Sequence, residues 1–194
     1  MIGNCTAIIM AGGDSQRMGT DKASLLLDGQ TLLQSVITTM RQLFPEVIVS
    51  VRQPRTGIEL PQVCDEQPDG GPLAGLAASL GKVTTPWAFV VACDMPFVVP
   101  ELIELLAKYR LQHQAVVPVV HWHTQPLAAF YAASCLEPLR ASLAAQQKSL
   151  RGVLQQLDVR YVDEAEMLEA DPLLRSFFDL DTPQDVAAAR GGVK

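Results

Sequence analysis

Cysteine is scarce in this sequence: four in 194 residues, at positions 5, 64, 93 and 135, with no C-x-x-C pair among them. That spacing speaks against a disulfide framework and a structural zinc site. The thiols read instead as small buried hydrophobes of a reducing compartment. Positive charge is short too. Fifteen Lys and Arg stand against 21 Asp and Glu, for a net charge of −6, the wrong sign for a general nucleic-acid surface. An anionic ligand would need a local cluster of cations. No apolar run reaches the roughly 18–20 residues of a membrane span, and Asn4 and Cys5 interrupt any secretory-type segment ahead of the first glycines. A cytoplasmic protein that contacts neither membrane nor nucleic acid is expected. Internal repeats, low-complexity tracts and linkers are missing as well.

What is present is ordinary globular material, 48% apolar and 19% charged. A chain of this length can bury roughly 70% of its unfolded surface without a disulfide or metal staple. Short apolar runs at 6–10, 47–51 ("VIVSV") and 87–92 ("WAFVVA") read as strands buried on both faces. Between them lies a helical pattern at 31–44, opened by a possible Thr31/Gln34 capping box. "PQVCDE" is a short extended piece ending at Asp65, and "GGPLAGLAASLG" a short helix between glycines. A helix from Pro100 to Tyr109 precedes a strand pair, "AVVPVV" and "PLAAFY", in which Pro118 demotes the first strand toward an edge or bulge. Helices at 135–145 and 149–157, short strands "VRYV" and "FFDL", and a last helix capped by Thr182 with Pro183 at its first turn complete the pattern. Strand–helix alternation predicts one α/β domain over 1–194: a Rossmann-like three-layer sandwich around a mostly parallel sheet.

In such a sheet ligands bind beyond the carboxyl ends of the strands. Three polar features leave strands there: "MAGGDSQRMGTDK" after the first, Asp65 after Val63, and Asp94 after Ala92. A glycine turn lets backbone N–H groups approach phosphate oxygens. Arg17 can fork onto a phosphate, and Lys22 adds a compact charge. Neither G-x-x-x-x-G-K-[ST] nor G-x-G-x-x-G is present. A carboxylate at Asp94 suits Mg²⁺, which takes one or two protein carboxylates plus phosphate oxygens and water. Basic loop, carboxylate and metal together describe attack on a nucleoside triphosphate.

The segment "MAGGDSQRMGTDK" resembles the L-A-G-G-x-S-x-R-M-G-x-D-K signature of nucleotidyltransferases with a glycosyltransferase-A-like (nucleotide-diphospho-sugar transferase-like) fold. With "GGPLAG", "CDMPF", "TQPLAAFY" and "FDLDTPQD" in order, the chain most resembles the molybdenum cofactor guanylyltransferases. The resemblance implies transfer of GMP from GTP to the molybdopterin cofactor, with release of pyrophosphate and Mg²⁺ as cofactor. It implies that Met10, Ala11 and Gly12 line the GTP site, that Lys22 meets its phosphates and Asp65 the nucleotide, and that Asp94 holds the metal. With Arg17, Lys22 and Asp94 form the catalytic set. Ser50 matches a common Asn more loosely. Transient contacts with proteins that supply the cofactor and accept the product are also implied.

One departure stands out. "DLDTP" places Asp179 and Asp181 where guanylyl members often carry Asn-x-Asn; the Asp-x-Asp of this chain is closer to cytidylyl relatives. On strand alternation both side chains share a face, and Asp181 is expected to turn inward as a second metal contact. A cytidylyltransferase, another nucleotidyltransferase, and a non-catalytic nucleotide- or pterin-binding module stay open as alternatives. The "HWH" at 121–123 is at least two ligands short of a zinc site and reads as surface histidines. Arg151 reads as a solvated helix-start arginine, and Glu164, Glu166 and Glu169 as a solvent-facing acidic stretch.

Overall fold

In the computed structural model, which describes residues 1–12, 21–65, 67, 70–180, 184, 185 and 189, strand β1 (Cys5–Met10) is buried along its whole length. Its side chains divide by alternation. Cys5, Ala7 and Ile9 join one apolar cluster, Ile8 and Met10 another. Strand β6 (Trp87–Ala92) repeats the division, with Phe89 and Val91 on the first face and Ala88 and Val90 on the second. Two apolar faces require two covering layers. Helices α1 (Leu32–Leu43) and α3 (Pro100–Ala107) cover the first face, and α2 (Gly71–Leu80), α4 (Leu136–Ala144) and α5 (Leu150–Leu154) the second. The expected three-layer α/β arrangement is therefore found.

The main sheet runs β10 (Val159–Val162), β7 (Ala115–Val120), β9 (Ala128–Ala132), β6, β1, β4 (Glu46–Val51), β5 (Gln62–Cys64). Only β9 runs against the others along this path, and β8 (His123–Thr124) adds to β7 antiparallel. A separate ribbon pairs β2 (Leu26–Leu27) with β3 (Gln30–Thr31). Register places Met10 beside both Ser50 and Ala92, so β1, β4 and β6 end on one edge. Phe89 anchors the first face, stacked on Phe44 at 5.6 Å between centroids and tilted against Phe130 at 4.8 Å.

Several expectations are corrected. Strand β7 is not an edge, since β10 and β9 flank it; Pro118 is tolerated because the ladder to β9 has already ended at Val116. "FFDL" is no strand. Asp171 accepts from the N–H groups of Arg175 (3.1 Å) and Ser176 (2.8 Å), which winds Arg175–Phe177 into a 3-10 turn. Helix α1 gains its N-cap bond from Gln34 N–H to Thr31 Oγ1. A full capping box forms instead on α6 (Glu164–Met167), between Asp163 and Glu166. The acidic stretch there is engaged: Glu166 pairs with Arg160, and Glu164 accepts from the His121 N–H. Cys64 is exposed, while Cys5, Cys93 and Cys135 are buried as expected. The expected cap at Thr182 and Pro183 lies outside the described residues.

Candidate active site

At the carboxyl edge of the sheet the strand ends open into a cleft of about 590 Å³. Strand β1 contributes Met10 and then Ala11 and Gly12; β4 contributes Ser50 and is followed by Arg52; β5 is followed by Asp65; β6 contributes Ala92 and then Cys93 and Asp94. These residues form one wall. Backbone bonds lock it, with Ala11 N–H donating to Ser50 C=O at 2.8 Å and Cys93 N–H to Met10 C=O at 3.0 Å. Helix α2 closes the floor at Gly75, where a Cβ would stand 2.9 Å from Met10 Cε and 2.9 Å from Ser50 Oγ. Glycine is what lets this helix come so near the strand ends.

Lys22 and Asp94 meet across this wall, Nζ to Oδ2 at 3.3 Å, though 72 positions separate them in the chain. Each belongs to a turn. Lys22 opens the 3-10 turn Lys22–Ser24, capped by the Asp21 carboxylate, and Asp94 follows β6. Leu180 N–H donates to Asp94 C=O at 2.9 Å, which holds Leu180 beside Asp94. Asp21 is itself paired with Arg55, whose guanidinium holds the carboxyl below its ordinary range. Cys93 lies next to Asp94, but burial, with the Asp94 charge adding, pushes its thiol up to about 12. It is protonated at neutral pH and is no nucleophile.

The opposite wall comes from the later chain: Thr124, Gln125, Pro126 and Leu127, then Lys148 and Arg151, then Asp179. Thr124 Oγ1 is buried without a hydrogen-bond partner among the described residues. Gln125 N–H donates to Pro118 C=O at 2.8 Å, which fixes the turn.

The structure thus brings Met10, Ala11, Gly12, Lys22, Asp65 and Asp94 together in one cleft. Ser50 joins them, with its hydroxyl 3.3 Å from Gly75 C=O, which it can reach as donor. Arg17 and Asp181 lie outside the described residues. Arg151 is not merely a solvated arginine, because it lines the cleft. Asp21, Arg52, Arg55 and Lys148 were missed by sequence reasoning. For the two arginines a signal existed: "VRQPR" is a basic loop directly behind a strand, the same pattern that singled out Lys22. His121 and Trp122 sit at a hairpin tip with positive φ and stay exposed.

The family model of the MobA-like NTP transferase domain matches residues 7–161. A probable molybdenum cofactor guanylyltransferase of Chloroflexus aggregans is 38% identical over 93% of this chain and 91% of its own length. Another, of Pelotomaculum thermopropionicum, is 34% identical over 95% of this chain and 91% of its own. Among solved structures, molybdopterin-guanine dinucleotide biosynthesis protein A of Archaeoglobus fulgidus superposes with a TM-score of 0.84 at 27% identity, covering 96% of this chain and 97% of that one.

Proposed function

Since the chain belongs to the MobA-like NTP transferase family, among the molybdenum cofactor guanylyltransferases, we propose that it transfers GMP from GTP to the molybdopterin cofactor and releases pyrophosphate. The observation that carries this reading is the meeting of Lys22 and Asp94, 3.3 Å apart, beside Ala11 and Gly12 at the end of β1. A cation and a carboxylate meeting at the carboxyl edge of a parallel sheet are what a metal-bound triphosphate requires.

Chemically, an oxygen of the acceptor's terminal phosphate bonds to the α-phosphorus of GTP, and the bond to the β-phosphate oxygen breaks. The attacking phosphate is already anionic at neutral pH, so no strong base is called for. The difficulty is bringing two anions together. Lys22 offsets their charge and that of departing pyrophosphate. Met10, Ala11, Gly12 and Asp65 hold the nucleotide, and Arg17 is assigned a second phosphate contact. On the opposite wall Lys148 and Arg151 suit the acceptor's phosphate, with Thr124 Oγ1 as a polar contact.

The donor set fits Mg²⁺. Asp94 stands in the cleft with Asp65 and Asp179, and among the described residues no group of three or more His, Cys, Asp or Glu side chains forms a cage on its own. Such a site suits an ion that completes its shell with phosphate oxygens and water. When bound, Mg²⁺ would withdraw charge from the α- and β-phosphates. Asp94 would hold it, with Asp181 assigned as a second contact. The enzyme would work in the cytoplasm as one domain, meeting the cofactor's donor and acceptor proteins transiently. Among the described residues no helix is long and apolar enough to cross a membrane. Pyrophosphate release with molybdopterin, Mg²⁺ and each nucleoside triphosphate in turn tests the reaction. Release with GTP is expected; release with none of the four would end the reading.

A further inference from the structure

One charged group beside the cleft does not line it. Arg55, in the loop between β4 and β5, forks onto Asp21, with Nη2 to Oδ1 at 2.9 Å and Nη1 to Oδ2. Its Nη2 also donates to Ala11 C=O at 3.2 Å. Ala11 and Asp21 stand near the two ends of the segment "MAGGDSQRMGTDK", so a single guanidinium ties both ends. Arg55 is itself held. Its N–H donates to Gln62 Oε1 at 2.8 Å, and Gln62 Nε2 donates back to Arg55 C=O at 2.9 Å. Gln62 belongs to β5, a strand of the main sheet. Asp21 in turn accepts from Ala23 N–H at 3.3 Å and Ser24 Oγ at 2.8 Å, and so fixes the turn that begins with Lys22. A continuous path therefore runs from Gln62 through Arg55 and Asp21 to the residue that meets Asp94.

We infer that Arg55 is a positioning residue: with Asp21 it sets Lys22 over the reacting phosphates and neutralises a carboxylate that would otherwise repel them. The inference rests on the nucleotidyl-transfer reading. Only a planar fork can serve Asp21 with two parallel bonds and still reach Ala11, so lysine should be a poor substitute. Misplacing a catalytic charge by about 1 Å costs on the order of 100-fold.

The test uses the full chain. Arg55→Ala is expected to lower kcat/KM for GTP about 10- to 100-fold while KM for the acceptor holds. Arg55→Lys should recover little. Millimolar guanidinium should restore part of the Arg55→Ala activity and none of that lost in Lys22→Ala. Adding Asp21→Asn to Arg55→Ala should cost little more than either change alone, as within one unit. Circular dichroism and GTP titration by calorimetry keep folding and binding separate from turnover. Arg41→Ala, on the exposed face of α1, is the control that should leave activity unchanged. Wild-type kcat/KM per folded Arg55→Ala molecule, full recovery by lysine, or independent additive losses would each overturn the inference. If the wild type uses a nucleotide other than GTP, the guanylyl reading fails, while the Arg55 comparison still stands with the nucleotide used. If it uses none, loss of GTP affinity in Arg55→Ala supports the positioning role and unchanged affinity overturns it.

Discussion

The two walls of the cleft are built in opposite ways. The first takes its residues from the ends of adjacent strands and the turns that follow them: Met10–Gly12, Lys22, Asp65 and Asp94. Sheet hydrogen bonding fixes each of those strand ends to within one register. The second wall is gathered from three separate places, the β8–β9 turn, the segment around α5 and Asp179. None of these adjoins another in sequence. A rigid wall suits the constant part of the reaction, the triphosphate. A wall of loops suits the part that distinguishes one acceptor from another.

That contrast can be broken by substitution. The largest loss is expected from Asp94→Asn, about 10²–10³-fold in turnover as for removal of a key electrostatic stabiliser, with the fold intact by circular dichroism. Near-normal Mg²⁺-dependent turnover would remove Asp94 from the chemistry. Lys22→Ala should follow, at about 10- to 100-fold in kcat/KM for GTP, the equivalent of about 1.5–3 kcal/mol for a charged hydrogen bond. A fall in melting temperature alone, with activity per folded molecule preserved, would make Lys22 structural.

Across the cleft, Arg151→Ala should raise KM for the acceptor about tenfold, close to 1.4 kcal/mol, and leave KM for GTP unchanged. If KM for GTP rises instead, the division of labour between walls is wrong. The smallest effect concerns acid stability. The Asp21 carboxyl is held below its ordinary value by Arg55, so its contribution is present above that value and lost as pH falls through the lowered one. The stability gap between wild type and Asp21→Asn should therefore be open at neutral pH and close in acid. A gap that persists unchanged at low pH would contradict the pairing.

The same contrast explains what the sequence disclosed. Strands β1, β4 and β6 announce themselves as apolar runs because both faces are buried, and Met10–Gly12 and Asp94 sit at or just beyond the ends of such runs. Asp65 was legible differently, as the polar residue closing the short extended piece "PQVCDE", although β5 itself is only partly buried. Arg151 was not, since a short helix-start arginine looks alike whether it faces solvent or a cleft; only the packing of α5 on the sheet decides. "FFDL" misled because its aromatic residues satisfy a strand pattern, while Asp171, several residues upstream, winds the segment into a turn. Pro118 misled for a related reason: its cost depends on where the β9 ladder stops, a tertiary fact. Arg55 carried a readable hint in "VRQPR", but its bond to Asp21 spans 34 positions and has no local signature.

On this reading the cleft places guanylate, rather than another nucleotide, on molybdopterin. Asp179 in the second wall stands where the sequence resemblance leads one to expect Asn, which makes base choice the sharpest point of attack. The direct measurement is a competition: equal GTP and CTP with limiting molybdopterin and Mg²⁺, the dinucleotide products resolved by mass spectrometry. Guanine dinucleotide is expected in at least about tenfold excess, a preference of about 1.4 kcal/mol in transition-state terms. Equal incorporation, or an excess of the cytosine product, would contradict it.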